Sequence, residues 1–105
     1  MPDDDLEIDV TENGGLSVVT VRGEIDIVSV TALAAALDSI EYNGRLVVDM
    51  SGVEFMDSTG LAAILRQSIA RRDAGGWFYL RKVSEPVRRL LEFCCLEHLV
   101  EPGDV

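Results

Sequence analysis

The run Leu46-Val47-Val48 constrains the fold more than any other segment, because continuous apolar residues flanked by helical patterns read as a strand covered on both faces. Upstream of it, Leu33, Ala36, Leu37 and Ile40 recur at helical spacing, with Ser29 placed to cap the start and Asn43-Gly44 to close the end. Downstream, Leu61, Ile64, Leu65, Ser68 and Ile69 trace the buried stripe of a second helix that stops at Gly75-Gly76. Arg66, Arg71 and Arg72 fall on the face expected to meet water. Strands entered and left through helices run parallel, by right-handed crossovers. An α/β architecture follows.

The flanks complete the pattern. Leu6 to Val10 alternates apolar and acidic residues, Asn13-Gly14-Gly15 accepts the positive φ of a hairpin turn, and Leu16 to Val21 returns, with Val19 and Val21 on one face. Gly23-Glu24-Ile25-Asp26 is expected to break this second strand. Trp77 to Leu80 reads as another strand, and Ser84 with Pro86 opens a third helix that turns Val87, Leu90 and Leu91 inward. A last strand near His98 to Val100 has thin support. The expected order is β-β-α-β-α-β-α in one domain over residues 1–105: a mostly parallel sheet with one antiparallel edge strand. Its carboxyl edge should collect Glu24 and Asp26, then Asp57 and Ser58, then Arg81, Lys82 and Ser84. Open α/β sheets place their sites at that edge.

Charge narrows the partners. The net charge of −10 is uneven, since residues 1–44 hold ten acidic side chains against Arg22 alone, and residues 45–105 hold nine against eight basic ones. Such a front half repels phosphate backbones, so direct nucleic-acid binding is not expected, and a partner with a basic face is favoured. Asp3 to Asp5 stand where a secretion signal would be basic, and the apolar stretch Val28 to Leu37 is too short to cross a bilayer. The expectation is a cytoplasmic protein without membrane contact, and a monomer. Cys94 and Cys95 are adjacent and staple nothing; they are expected to be buried and inert. His98 lacks companions at metal-ligand spacing, so neither a metal nor another cofactor is expected.

The chemistry concentrates in Met56-Asp57-Ser58-Thr59-Gly60, at the entry to the second helix. Ser58 falls at the N-cap or first position, where unpaired N–H groups and the helix dipole tolerate a phosphate. Asp57 repels one, which directs the effect of a phosphate toward a partner rather than toward internal order. Taken alone, the pentapeptide is better explained by helix capping than by a switch. Phe55 and Met56 are expected in the preceding loop, with burial preferred for Phe55 and Met56 left as the candidate apolar anchor. Gly60 is expected to let the helix start lie close to neighbouring backbone.

The wider stretch Asp49, Ser51, Gly52, Val53, Phe55, Met56, Asp57, Ser58, Thr59, Gly60, Leu61 resembles the signature of STAS domains, the sulphate transporter and anti-sigma factor antagonist family. Gly23-Glu24-Ile25-Asp26 resembles that family's second marker, and the likeness in element order covers about residues 6–100. The resemblance implies an anti-sigma factor antagonist, not an enzyme. Unphosphorylated, such a protein binds an anti-sigma factor that is also a serine/threonine kinase and so frees a sigma factor. Phosphorylation of Ser58 ends binding, and a PP2C-type phosphatase restores it. It also implies partner contacts at Glu24, Asp26, Met56, Asp57, Ser58, Thr59 and Gly60, with Thr59 the weaker phosphoacceptor. Cys95 stands where the family often has Gly, a strained position if its φ is positive.

Rival readings fare less well. A response-regulator receiver needs an acidic pair ending its first strand, whereas Asp3 to Asp5 precede it here and Lys82 follows the penultimate strand. No nucleophile elbow, phosphate-cradling loop or His–Cys constellation supports an enzyme. The closer alternative is a STAS subunit that is never phosphorylated, in a lipid-transport ATPase or a stress-signalling complex. Ser58, where such subunits often carry Thr, favours the switch.

Overall fold

Gly14 and Gly15, at φ +60° and +83°, turn the first strand back on the second through a two-residue loop. The computed structural model describes residues 6–103, so the acidic run Asp3 to Asp5 lies outside the described residues. Strand β1 is Glu7–Asn13 and β2 Leu16–Ile25; helix α1 is Val30–Asp38; strand β3 is Arg45–Met56; helix α2 is Ser58–Asp73; strand β4 is Trp77–Arg81; helix α3 is Glu85–Phe93. A 3₁₀ turn, Glu97–Leu99, follows. The sheet order is β1-β2-β3-β4, with β1 antiparallel to β2 and the remaining pairs parallel, as the pattern predicts. In place of a last strand, a single bridge joins Val100 to Leu80.

All three helices pack on one face. Val19, Val21, Leu46, Val48 and Leu80 share a buried cluster with Leu33 and Leu37 of α1, Leu61 and Ile64 of α2, and Val87 and Leu91 of α3. Val47 is fully buried yet stands outside that cluster, in register with Val18 and Tyr79 on the opposite face. The apolar run is therefore covered by a helical core on one side and by its strand neighbours on the other.

Both long strands exceed the expectation. β2 continues through Gly23-Glu24-Ile25 instead of breaking there, and β3 runs twelve residues to Met56 instead of ending near Asp49. The cause is a pair of register shifts, opposite Thr20/Arg22 and Gly23/Glu24, each inserting an extra residue in β3. The core residues Met50, Val53 and Met56 thus recur every third position, a spacing that no strand pattern announces.

The helices carry further corrections. α1 ends at Asp38, so Ile40 lies in the following turn and Asn43-Gly44 well beyond the helix. On α2, Ile69 is exposed and Arg71 is completely buried, the reverse of the expected faces. The Arg71 guanidinium donates to the backbone carbonyls of Leu37, Ile40 (3.2 Å) and Glu41 (3.1 Å) and to Gln67 Oε1 (2.9 Å). It also stacks over Tyr42, 4.2 Å from the ring centroid. A cation placed against the C-terminal end of α1 and the turn after it interacts favourably with the helix dipole and gives the Ile40 carbonyl a donor. Arg71 locks α1 to α2. Ser84 does precede α3, but its hydroxyl is buried without a hydrogen-bond partner among the described residues instead of capping the helix.

Candidate functional site

The ends of β2 and β3 meet in register, Glu24 opposite Phe55 and Ile25 opposite Met56, and the Asp57 N–H donates to the Ile25 carbonyl at 3.1 Å. From this junction the chains leave directly into the starts of α1 and α2. Asp57 is the N-cap of α2: its carboxylate accepts the Gly60 N–H at 3.0 Å. Ser58 is the first helical residue and is exposed, and its hydroxyl has no hydrogen-bond partner among the described residues. Thr59 is half-buried.

Asp26 orders the turn that leads into α1. Its carboxylate accepts the N–H groups of Val28 (3.0 Å) and Ser29 (2.9 Å), and these bonds hold its pKa below the ordinary carboxylate value, the Ser29 bond first. Ser29 stands at the N-cap position, but its hydroxyl donates to the Glu24 carbonyl at 2.7 Å and accepts the Asp26 N–H instead of capping α1. At the tips of two adjacent parallel strands, one aspartate thus caps α2 and the other braces the turn before α1. Glu24, by contrast, is exposed and makes no side-chain bond among the described residues.

Three expected contacts change role. Met56 is 6% exposed and belongs to the core, whereas Phe55 is 49% exposed, so the open apolar side chain at the strand end is Phe55. The two occupy the last positions of β3 rather than a loop, and strand alternation sends their side chains to opposite faces. Gly60 is buried, and a Cβ there would lie 2.5 Å from Ile25 Cγ2 and 2.8 Å from Met56 Cγ. It is a packing glycine, which seats α2 against both strand ends.

Ile27 and Val28, 70% and 72% exposed in the turn before α1, add apolar surface that the sequence reading passed over. The available signal was that both precede the helical periodicity beginning at Leu33 and also follow the end of the strand pattern. Arg81, Lys82 and Ser84 do not join this edge. β4 stops opposite Asp49, seven residues before Met56, or about 20 Å at the rise of a strand. Arg81 there pairs with Glu101 at 2.8 Å, which keeps the Glu101 pKa low.

The assembled rim carries exposed Ile27, Val28 and Phe55, exposed Glu24 and Glu54, Asp57 as the cap of α2, Asp26 in the turn before α1, and a serine hydroxyl unbonded among the described residues. Arg22, the sole cation of the first 44 residues, is occupied by Glu7 (3.2 Å) and Asp9 (2.9 Å) of β1. Among the described residues no three His, Cys, Asp or Glu side chains are grouped to hold a metal, and no helix is long and apolar enough to cross a membrane. The rim is acidic with an apolar centre.

A four-stranded mixed sheet backed by helices, with an Asp-Ser-Thr-Gly helix start at its rim, is the architecture of one domain class: the chain belongs to the STAS domain family, whose model matches residues 7–104. Several relatives match over most of their length. The anti-sigma-B factor antagonist of Bacillus subtilis is 29% identical over 97 residues, covering 91% of this chain and 89% of its own. That of Staphylococcus aureus is 30% identical over 101 residues, 94% of each chain. The anti-sigma-F factor antagonist RsfB of Mycobacterium tuberculosis is 33% identical over 67 residues, and the match spans only 55% of its length. Among solved structures, an anti-sigma factor antagonist from Mycobacterium paratuberculosis superposes with a TM-score of 0.76 at 29% identity, covering 91% of this chain and 83% of its own. Unphosphorylated SpoIIAA shares the fold, with a TM-score of 0.76 at 20% identity over 90% of this chain and 86% of its own.

Proposed function

We propose that this STAS domain is an anti-sigma factor antagonist that binds an anti-sigma factor serine kinase through the Ser58 rim and is released when that kinase phosphorylates Ser58. The observation that carries the reading is the Ser58 hydroxyl, exposed and unbonded on the first turn of α2 and ringed by acidic and apolar groups. A kinase can reach it without unfolding the domain. Ile27, Val28 and Phe55 supply the apolar centre of the contact, and Glu24 and Glu54 the charged border that selects a basic partner.

The switch follows from electrostatics. A phosphate brings about −1.5 to −2 charges to a rim that already holds Asp57 as a cap and where, among the described residues, Arg22 is already paired with Glu7 and Asp9. Placed inside the contact it opposes binding by roughly 1–4 kcal/mol, a loss of about 5- to 1000-fold. Internal rearrangement is unnecessary, since the helix dipole accommodates the anion on its own side. A PP2C-type phosphatase would reset the protein. The test is phosphosite mapping on protein purified from its own host together with identification of what co-purifies. Phosphate on Ser58 and a kinase bound only to the unmodified form support the proposal. Phosphate absent under every growth condition, with a constant set of partners, would instead make this a constitutive subunit.

A further inference from the structure

We propose that Cys94 and Cys95 form an exposed vicinal dithiol site for trivalent arsenic, above all its aryl derivatives. Both thiols are free and exposed where burial was expected. Cys94 is the C-cap of α3, and Cys95 follows at φ 59°, the left-handed position that normally belongs to glycine. The Leu96 N–H closes this helix end by donating to the Leu91 carbonyl at 2.8 Å, so the two thiols are carried on a fixed turn.

The chemistry open to the pair is narrow. Among the described residues no third His, Cys, Asp or Glu stands close enough to complete a metal site, which removes tetrahedral ions such as zinc. A disulfide between neighbours is also disfavoured, since Cα atoms across a trans peptide sit about 3.8 Å apart, short of the usual span of a disulfide. An electrophile that inserts one atom between the sulfurs enlarges the ring and relieves that strain. Trivalent arsenic does so: an aryl arsenoxide condenses with both thiols, two As–S bonds form, and the arsenic-bound oxygen leaves as water with the two thiol protons. No oxidant is required. Phe93, 87% exposed beside the pair, offers an apolar surface to the aryl group.

The probe is phenylarsine oxide, added to the whole reduced protein and followed by intact mass. Wild type should gain one phenylarsenic group with loss of one water. It should withstand about tenfold more competing monothiol than Cys94→Ser or Cys95→Ser, because the second sulfur rebinds at the high effective concentration of a tethered group. A small dithiol should strip it. Cys95→Gly, which suits the left-handed backbone, serves as a folded single-thiol control and should behave like the serine variants. An adduct on wild type that monothiol removes as readily as from the single-thiol variants, or no adduct at all, would overturn the proposal.

Discussion

Replacing Arg71 with Met keeps most of the aliphatic volume and removes the guanidinium that clamps the end of α1. Leu37 and Glu41 carbonyls retain other donors, the N–H groups of Ile40 (3.1 Å) and Gly44 (3.4 Å). The Ile40 carbonyl and Gln67 Oε1 lose the only donor seen for them among the described residues. Each acceptor left unpaired out of water costs about 1–3 kcal/mol, and the lost stacking over Tyr42 adds about 1–2 kcal/mol. Against this, the variant no longer buries a charge, a burden visible in the lowering of the Arg71 pKa by desolvation. The net expectation is a destabilisation of about 3–4 kcal/mol, a large share of the roughly 5–15 kcal/mol that holds a domain of this size. Urea unfolding followed by far-UV circular dichroism measures it. Arg71→Lys, which keeps the charge and loses the fork, should fall between wild type and Met. If Arg71→Met unfolds within about 1 kcal/mol of wild type, the clamp is not what joins α1 to α2.

Further outcomes follow from the same contacts. Gly60→Ala drives a methyl into Ile25 and Met56 and should cost roughly 1–3 kcal/mol in the same urea assay; an unchanged midpoint would show that the helix seat is loose. Asp38 has its pKa lowered, chiefly by the Tyr42 hydroxyl and then by the Gln67 amide. Its share of stability is complete above the unfolded-state value of about 3.9 and is lost as pH falls through the lower folded value. Wild type should therefore lose more stability than Asp38→Asn on acidification from neutral pH, and parallel pH profiles would contradict this. Phe55→Ala and Ile27→Ser should weaken the kinase by about 1–2 kcal/mol each in calorimetric titration with little change in the unfolding midpoint, whereas a wild-type affinity would exclude them from the contact.

The sequence was most legible where one physical signal acted alone. Helical spacing at Leu33, Leu37, Leu61 and Ile64, the double glycine at the hairpin and the run Leu46–Val48 gave the element order and the parallel sheet. It was least legible where tertiary structure bent a local rule. Two bulges move the core positions of β3 to Met50, Val53 and Met56, which hid the strand's second half and exchanged the exposure of Phe55 and Met56. A buried Arg71 looks like a surface cation until the carbonyls at the end of α1 and in the turn after it are placed beside it. The candidate site was proposed from Asp57-Ser58-Thr59-Gly60, but the bracing of the turn before α1 could not be read without the Val28 and Ser29 N–H groups converging on Asp26. Cys94 and Cys95 were misplaced because adjacent cysteines usually pack as small apolar residues, and the helix end that exposes them depends on a left-handed residue at Cys95.

The most direct trial of the switch is the affinity of the cognate anti-sigma kinase for this domain in two homogeneous forms, one bearing a phosphoryl group on Ser58 and one without it. The unmodified form should bind, and the phosphorylated form should bind at least about tenfold more weakly while unfolding at a similar urea midpoint. Equal affinities for the two forms would remove Ser58 from the interface and with it the proposed mechanism.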